Sequence, residues 1–181
     1  LTRIVDPDEA VVRHVVDSLL LLPALEGKGY SASSRLLDIG TGAGFPGIPL
    51  AIATGMRATL MDSVGKKVAA VGEFIDALGL ADTAQAVQAR AEVFARDHAH
   101  QFDFVTARAV APLAVLVEYA APLLTRGGQA VLSKAALAAD EWEAGCKAAD
   151  ICGLDIVSRE TLELPNAQGT REIVVLKRGR Q

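Results

Sequence analysis

The chain has 181 residues, 51% hydrophobic and 22% charged, which suits one domain with a sizeable core and excludes a disordered or low-complexity protein. Its 18 basic and 22 acidic residues leave a net charge of −4, so any nucleic-acid footprint must be a local patch on an acidic molecule. Cys146 and Cys152 have no histidine cluster beside them, and no apolar run approaches the roughly 20 residues of a spanning helix; metal binding, a disulfide scaffold and a membrane span are all disfavoured. The expectation is a soluble, cytoplasmic monomer without a metal. The chain opens at Leu1 without methionine and with no secretion signal, so an upstream segment is expected.

Asp6, Pro7 and Glu9 form a capping signature for a first helix, with Val11, Val12, Val15, Val16, Leu19 and Leu20 expected to face inward. His14 and Asp17 stand at i, i+3 on it, a spacing that serves a surface hydrogen bond as well as a site. The run LLDIGTGAGFPGIPLA, 36–51, then joins a buried strand (Leu36, Leu37, Ile39), a tight glycine turn (Gly40, Gly42, Gly44) and a helix packing through Ile48, Leu50, Ala51 and Ile52. Glycine is required where a turn takes left-handed angles and a ligand approaches the backbone closely. The run is therefore a nucleotide-binding turn.

Two spacings compete there. Gly42, Gly44 and Gly47 give the dinucleotide pattern GxGxxG, but Asp38 at the strand tip would set negative charge beside a pyrophosphate. The same acid suits a cofactor carrying an amino group and a sulfonium. Asp38, Gly40, Gly42 and Gly44 fit hhDxGxGxG, the glycine loop of S-adenosyl-L-methionine-dependent methyltransferases. The next strand, 57–61, ends at Asp62, placed to accept hydrogen bonds from ribose hydroxyls or to cap the following helix.

Beyond it the chain alternates: helix 64–78 ended by Gly79, strand 84–87, a short helix 91–95, strand 102–107, then a helix opened by Pro112 and closed by Gly127 and Gly128. Strand 129–134, a helix 136–149 and two final strands, 154–164 and 173–177, complete the pattern. This predicts a Rossmann-like α/β fold: seven strands in a mostly parallel sheet, helices on both faces, the last two strands antiparallel. One methyltransferase domain is expected over 1–181, with 1–34 an N-terminal helix and lead-in and 35–181 the cofactor-binding sheet. Trp142 and the two cysteines are expected to be packing residues.

The runs RHVVDS (13–18), DIGTGAGFPGIPLAI (38–52), MDSVGKK (61–67), RAEVF (90–94), FDFVTARAVAPL (102–113) and TREIVVLK (170–177) resemble the bacterial small-subunit ribosomal RNA methyltransferases of the RsmG, or GidB, family. The likeness runs along nearly the whole chain, and FPGIPLAI after the glycine loop with ARA ending the fourth strand is its most specific part. It implies transfer of a methyl group from S-adenosyl-L-methionine to N7 of one guanine of 16S ribosomal RNA, within the small subunit. The resemblance places cofactor contacts on Gly40, Phe45, Ala91, Glu92 and Arg108, and sets His14 and Asp17 near the substrate side. Arg108 would hold the cofactor's carboxylate or an RNA phosphate.

No general base is expected, because N7 has a free lone pair and no proton to lose. Lys66, Lys67, Arg90, Arg108, Lys134 and Arg171 fall near strand ends and are expected to form a positive rim positioning RNA; Lys66 and Lys67 read equally well as a solvated helix start. The family commonly has a glycine after the lysine equivalent to Lys134, where this chain has Ala135. A methyltransferase of small molecules and a non-catalytic cofactor-binding module on the ribosome are the competing readings.

Overall fold

The computed structural model describes residues 11–179; the capping signature at Asp6, Pro7 and Glu9 lies outside them. Helical segments α1 (Val11–Val16, wound as a π-helix), α2 (Asp17–Leu19) and α3 (Leu22–Lys28) lead into the sheet. There follow β1 (Arg35–Ile39), α4 (Gly47–Thr54), β2 (Arg57–Asp62), α5 (Gly65–Ala77), β3 (Ala84–Gln88), α6 (Ala91–Asp97) and β4 (Phe102–Arg108). Then come α7 (Leu113–Ala120), β5 (Leu124–Lys134), α8 (Ala139–Cys152), β6 (Leu154–Glu163) and β7 (Thr170–Arg178).

The seven strands lie in the order β3-β2-β1-β4-β5-β7-β6. The first five are parallel, and β7 enters antiparallel between β5 and β6, as expected for the last pair. Buried side chains alternate between the faces with the period of two that a pleated strand imposes. Leu36 and Phe104 pack with Leu21, Leu25, Leu50, Val71 and Ile75 under α3, α4 and α5. Leu37, Ile39, Val105 and Ala107 pack with Leu113, Leu116, Val117 and Ala149 under α7 and α8. Because β1 sends its chain leftward to β2 while β4 lies on its other side, the carboxyl edge between β1 and β4 is the switch point at which such sheets open a ligand crevice.

Three expectations need correction. The first helix turns only part of its apolar stripe inward: Val11 is 52% and Val15 36% exposed, Val12, Val16, Leu19 and Leu20 are half-buried, and it is Asp17 and Ser18 that are buried. A π-wound segment advances more residues per turn than an α-helix, which rotates the inward stripe away from the 3.6-residue reading. Ile52 is 56% exposed, since only one face of the short α4 meets the sheet. Gly127 and Gly128 do not close α7, which ends at Ala120; they sit inside β5 beside the register break between Phe102 and Phe104. There a Cβ on Gly128 would stand 2.9 Å from the Thr125 carbonyl oxygen.

Candidate functional site

Asp38, Asp62 and the glycines build one half of the site. Gly40, Gly42 and Gly44 take φ of 66°, 62° and 94°, the left-handed angles expected of them. Asp38 is fully buried at the tip of β1; its Oδ2 accepts from the Gly47 N–H at 2.9 Å and its Oδ1 from the Thr106 hydroxyl at 3.0 Å. Burial pushes its pKa up to about 6, against the lowering pull of these hydrogen bonds. Asp38 therefore acts on any ligand through the turn that it holds. A Cβ on Gly47 would fall 2.0 Å from Leu60 Cδ2 and 2.9 Å from Asp38 Oδ2, so this glycine serves close packing of α4 on β1 and β2.

Asp62 combines the two roles open to it. Its Oδ1 accepts from the Val64 N–H, entering α5, and its Oδ2 from the Gly42 N–H in the turn, both at 3.0 Å; Lys67 Nζ stands 3.7 Å from Oδ2. The carboxylate thus ties the glycine turn to the end of β2 while keeping further lone pairs for hydroxyl donors at the carboxyl edge. Ala91 and Glu92 open α6 one strand farther out, Ala91 buried and the Glu92 side chain half exposed, 3.9 Å from Arg90. The expected cofactor residues therefore span the tips of β1, β2 and β3.

The other half lies across β4. Asp17, 1% exposed, accepts from Arg108 Nη1 at 3.0 Å and from Arg171 Nε at 2.9 Å, fastening the tip of β4 and the start of β7 to α2. Arg108 also donates to the Arg13 carbonyl at 3.3 Å. The His14 ring stacks on Phe45, centroids 4.9 Å apart, and the Arg108 guanidinium stands 5.7 Å from the same ring. Burial and the nearby Arg108 cation lower the His14 pKa, so the imidazole is neutral at neutral pH. His14, Asp17, Arg108 and Arg171 line a cleft of about 230 Å³ with Ser133 and Lys134. The Ser133 hydroxyl is fully buried and has no hydrogen-bond partner among the described residues.

The positive rim is largely neutralised from within. Arg108 and Arg171 share Asp17, and Lys134 pairs with Glu141 at 2.8 Å while donating to the Ala111 carbonyl at 2.8 Å. Only Lys66 and Arg90 of that set remain well exposed, and they flank α5 and α6 rather than the Arg108 cleft. Thr106, Ser133, Val110 and Glu141 escaped the sequence reading. Thr106 had a legible signal, a lone hydroxyl inside the apolar strand FDFVTA. Val110 and Glu141 had none, because only the fold brings Val110 over Gly40 and Glu141 against Lys134. Trp142 packs on the core beneath the Arg159 guanidinium, 4.6 Å away, and both cysteines are free and half-buried. No group of His, Cys, Asp or Glu among the described residues could hold a metal, and no described helix is long and apolar enough to cross a membrane.

A glycine turn after β1, an acid ending β2 and an antiparallel β7 between β5 and β6 define the class I S-adenosyl-L-methionine-dependent methyltransferase fold. A geranyl diphosphate C-methyltransferase from Streptomyces coelicolor, solved with S-adenosyl-L-homocysteine, shares it at a TM-score of 0.71 and 10% identity, over 90% of this chain and 80% of that one. The [4+2]-cyclase SpnF shares it at 0.72 and 13%, over 91% and 82%, so the fold alone does not fix the reaction. Sequence does so more narrowly: the family model described as rRNA small subunit methyltransferase G matches residues 1–173, and the chain belongs to this family. Ribosomal RNA small subunit methyltransferase G of Desulfitobacterium hafniense is 42% identical over 181 residues, covering 98% of this chain and 73% of that protein. The protein of the same name from Roseiflexus castenholzii is 43% identical over 180 residues, covering 98% and 75%. Membership of a methyltransferase family implies use of S-adenosyl-L-methionine.

Proposed function

We propose that this chain is a cytoplasmic enzyme that transfers a methyl group from S-adenosyl-L-methionine to N7 of a guanine in 16S ribosomal RNA, within the small ribosomal subunit. The observation that carries the reading is the glycine turn laced to Asp62 on one side of the β1/β4 switch point, with the Asp17-held arginine pair on the other. Family membership supplies the RNA target. The reading is of a single domain, with the lead-in ahead of residue 35 and the cofactor-binding sheet after it, acting as a monomer.

The residues fit the cofactor. Gly40, Gly42 and Gly44 leave the turn open to close backbone approach, Asp38 holds that turn, Asp62 accepts from ribose hydroxyls, and Ala91 with Glu92 receives the adenine edge. The buried, unpartnered Ser133 hydroxyl beside Arg108 suits a carboxylate, with the guanidinium as its counter-charge. When bound, S-adenosyl-L-methionine supplies an electrophilic methyl group on a sulfonium. The N7 lone pair would take that methyl in a displacement that releases no proton, with the glycine turn, Asp62, Ala91 and Glu92 holding the cofactor and Arg108 facing its carboxylate. No proton moves, so His14, neutral and stacked on Phe45, shapes the pocket and is not a base. The enzyme's contribution is in-line positioning of methyl and base, which in favourable cases lowers a barrier by roughly 7–11 kcal/mol. Arg171, Lys66 and Lys67 meet RNA, while Asp17 and Lys134 hold the groups that do.

The test is transfer of labelled methyl to 30S subunits from a strain lacking the endogenous enzyme. Label released as 7-methylguanine supports the reading; no label, with cofactor binding intact, overturns it.

A further inference from the structure

Beyond the Arg108 cleft, the loop 109–112 after β4 and the loop 135–138 after β5 face one another across a second cleft of about 400 Å³, lined by Ala109, Val110, Ala111, Pro112, Ala135 and Glu141 among others. Its volume lies within the range of roughly 300–1,000 Å³ typical of small-molecule sites. Apart from the Lys134–Glu141 pair the walls are small and apolar, as a flat base requires. The loop 109–112 spans it: at one end Val110 covers Gly40 of the cofactor turn, Cγ2 lying 2.6 Å from where a Cβ would stand. At the other, Leu113 and Ala111 are pinned by Glu141 and Lys134.

Glu141 is held with unusual firmness for a carboxylate in such a slot. Its Oε1 accepts from the Leu113 N–H at 2.9 Å and from Lys134 Nζ at 2.8 Å, and the side chain is only 26% exposed. The Lys134 hydrogen bond holds its pKa below the usual carboxylate range, so it is ionised at neutral pH. Oε2 receives no hydrogen bond from the described residues. With Oε1 committed to Leu113 and Lys134, Oε2 is the acceptor that this cleft offers to a ligand donor.

We propose that Glu141 is the residue that selects guanine, its Oε2 accepting from the N1–H and 2-amino groups of the acceptor base. This rests on the guanine-N7 reading above. Guanine alone among the four bases presents two adjacent donors on that edge; adenine would set its N1 lone pair against the carboxylate. N7 lies on the far side of the purine from those donors. A guanine seated on Glu141 turns N7 away from the carboxylate, and the proposal directs it toward the Val110 end of the 109–112 loop, where that loop covers Gly40.

The experiment compares reconstituted 30S subunits carrying guanine or inosine at the methylated position. Inosine keeps N7 and N1–H but lacks the 2-amino group. Wild type should favour guanine in kcat/KM by roughly tenfold, within the discrimination of a two-donor base contact. Glu141→Gln, which keeps an acceptor for Leu113, should methylate both poorly and with a ratio near one, while binding S-adenosyl-L-methionine as wild type does. A wild-type ratio near one overturns the proposal whether or not the variant folds. An unchanged ratio in a folded Glu141→Gln reduces Glu141 to an anchor for the loop. Failure of wild type on native guanine would instead refute the assigned reaction.

Discussion

Asp17→Ala removes the acceptor that, among the described residues, joins α2 to the end of β4 and the start of β7. The side chain is 2% exposed, and its two oxygens receive Arg108 Nη1 at 3.0 Å and Arg171 Nε at 2.9 Å. Hydrogen bonds to charged groups contribute about 1.5–3 kcal/mol each. Arg108 and Arg171 are 17% and 19% exposed, so their outer donors reach water and neither charge is stranded when the acid is lost. That places the expected loss at about 2–4 kcal/mol rather than the larger penalty of breaking a wholly buried pair. For a domain of this size it corresponds to a fall in Tm on the order of 10 °C. Thermal melts of Asp17→Ala, Arg171→Met and the double variant measure it. In the Arg171→Met background the alanine change should cost about half as much, because one of its two bonds is already gone. Methyl transfer should fall with it, since Arg108 loses its fixed direction, and Asp17→Asn should lie between. An Asp17→Ala protein that melts within about 2 °C of wild type and keeps its kcat/KM would refute the reasoning.

Asp38, raised from 3.8 to about 6, binds a proton in the folded chain that the unfolded chain has released, so stability falls as pH rises through that window and the whole penalty, about 3 kcal/mol, stands above it. Relative to Asp38→Asn, wild-type urea midpoints should drop between about pH 4 and about pH 6; parallel curves would show that the carboxylate ionises freely where it sits. Gly47→Ala drives a methyl into Leu60 and should destabilise by about 1–3 kcal/mol while weakening cofactor binding; a variant as stable as wild type would mean that α4 can lift off the sheet. Lys66→Ala should leave the melting point unchanged but reduce the slope of log affinity for 30S subunits against log salt by about one, and an unaltered slope would remove Lys66 from the RNA face.

Local chemistry is what made the β1 turn readable in advance. Gly40, Gly42 and Gly44 take left-handed backbone in one short turn, and Asp38 and Asp62 sit at the carboxyl ends of the two strands that flank it, Asp38 holding Gly47 nine residues on and Asp62 holding Gly42 in the turn itself. Strands packed on both faces likewise announce themselves as apolar runs, so the seven strands and their alternation with helices followed from pattern, whereas the spatial order that puts β7 between β5 and β6 did not. The first helix failed because its phase is set by distant partners. Asp17 is buried to meet Arg108 and Arg171, 91 and 154 residues away, and the π-winding that permits this breaks the period on which the valine stripe was read. The Gly127–Gly128 pair misled for a related reason. Glycine marks a backbone demand without saying whether a helix end or a strand irregularity makes it.

The net acidity that argued against an RNA partner looks different once the acids are located. Asp17 and Glu141 neutralise much of the positive rim, but they do so by fixing its cations in place: Asp17 holds Arg108 and Arg171, and Glu141 holds Lys134. A guanidinium has five donors, and among the described residues Arg108 gives only Nη1 to protein acceptors, leaving the rest of its fork for a ligand. Recognition built this way depends on oriented donors more than on summed charge. It sacrifices long-range attraction and gains pre-organisation, which suits an enzyme whose chemistry requires in-line alignment and no proton transfer.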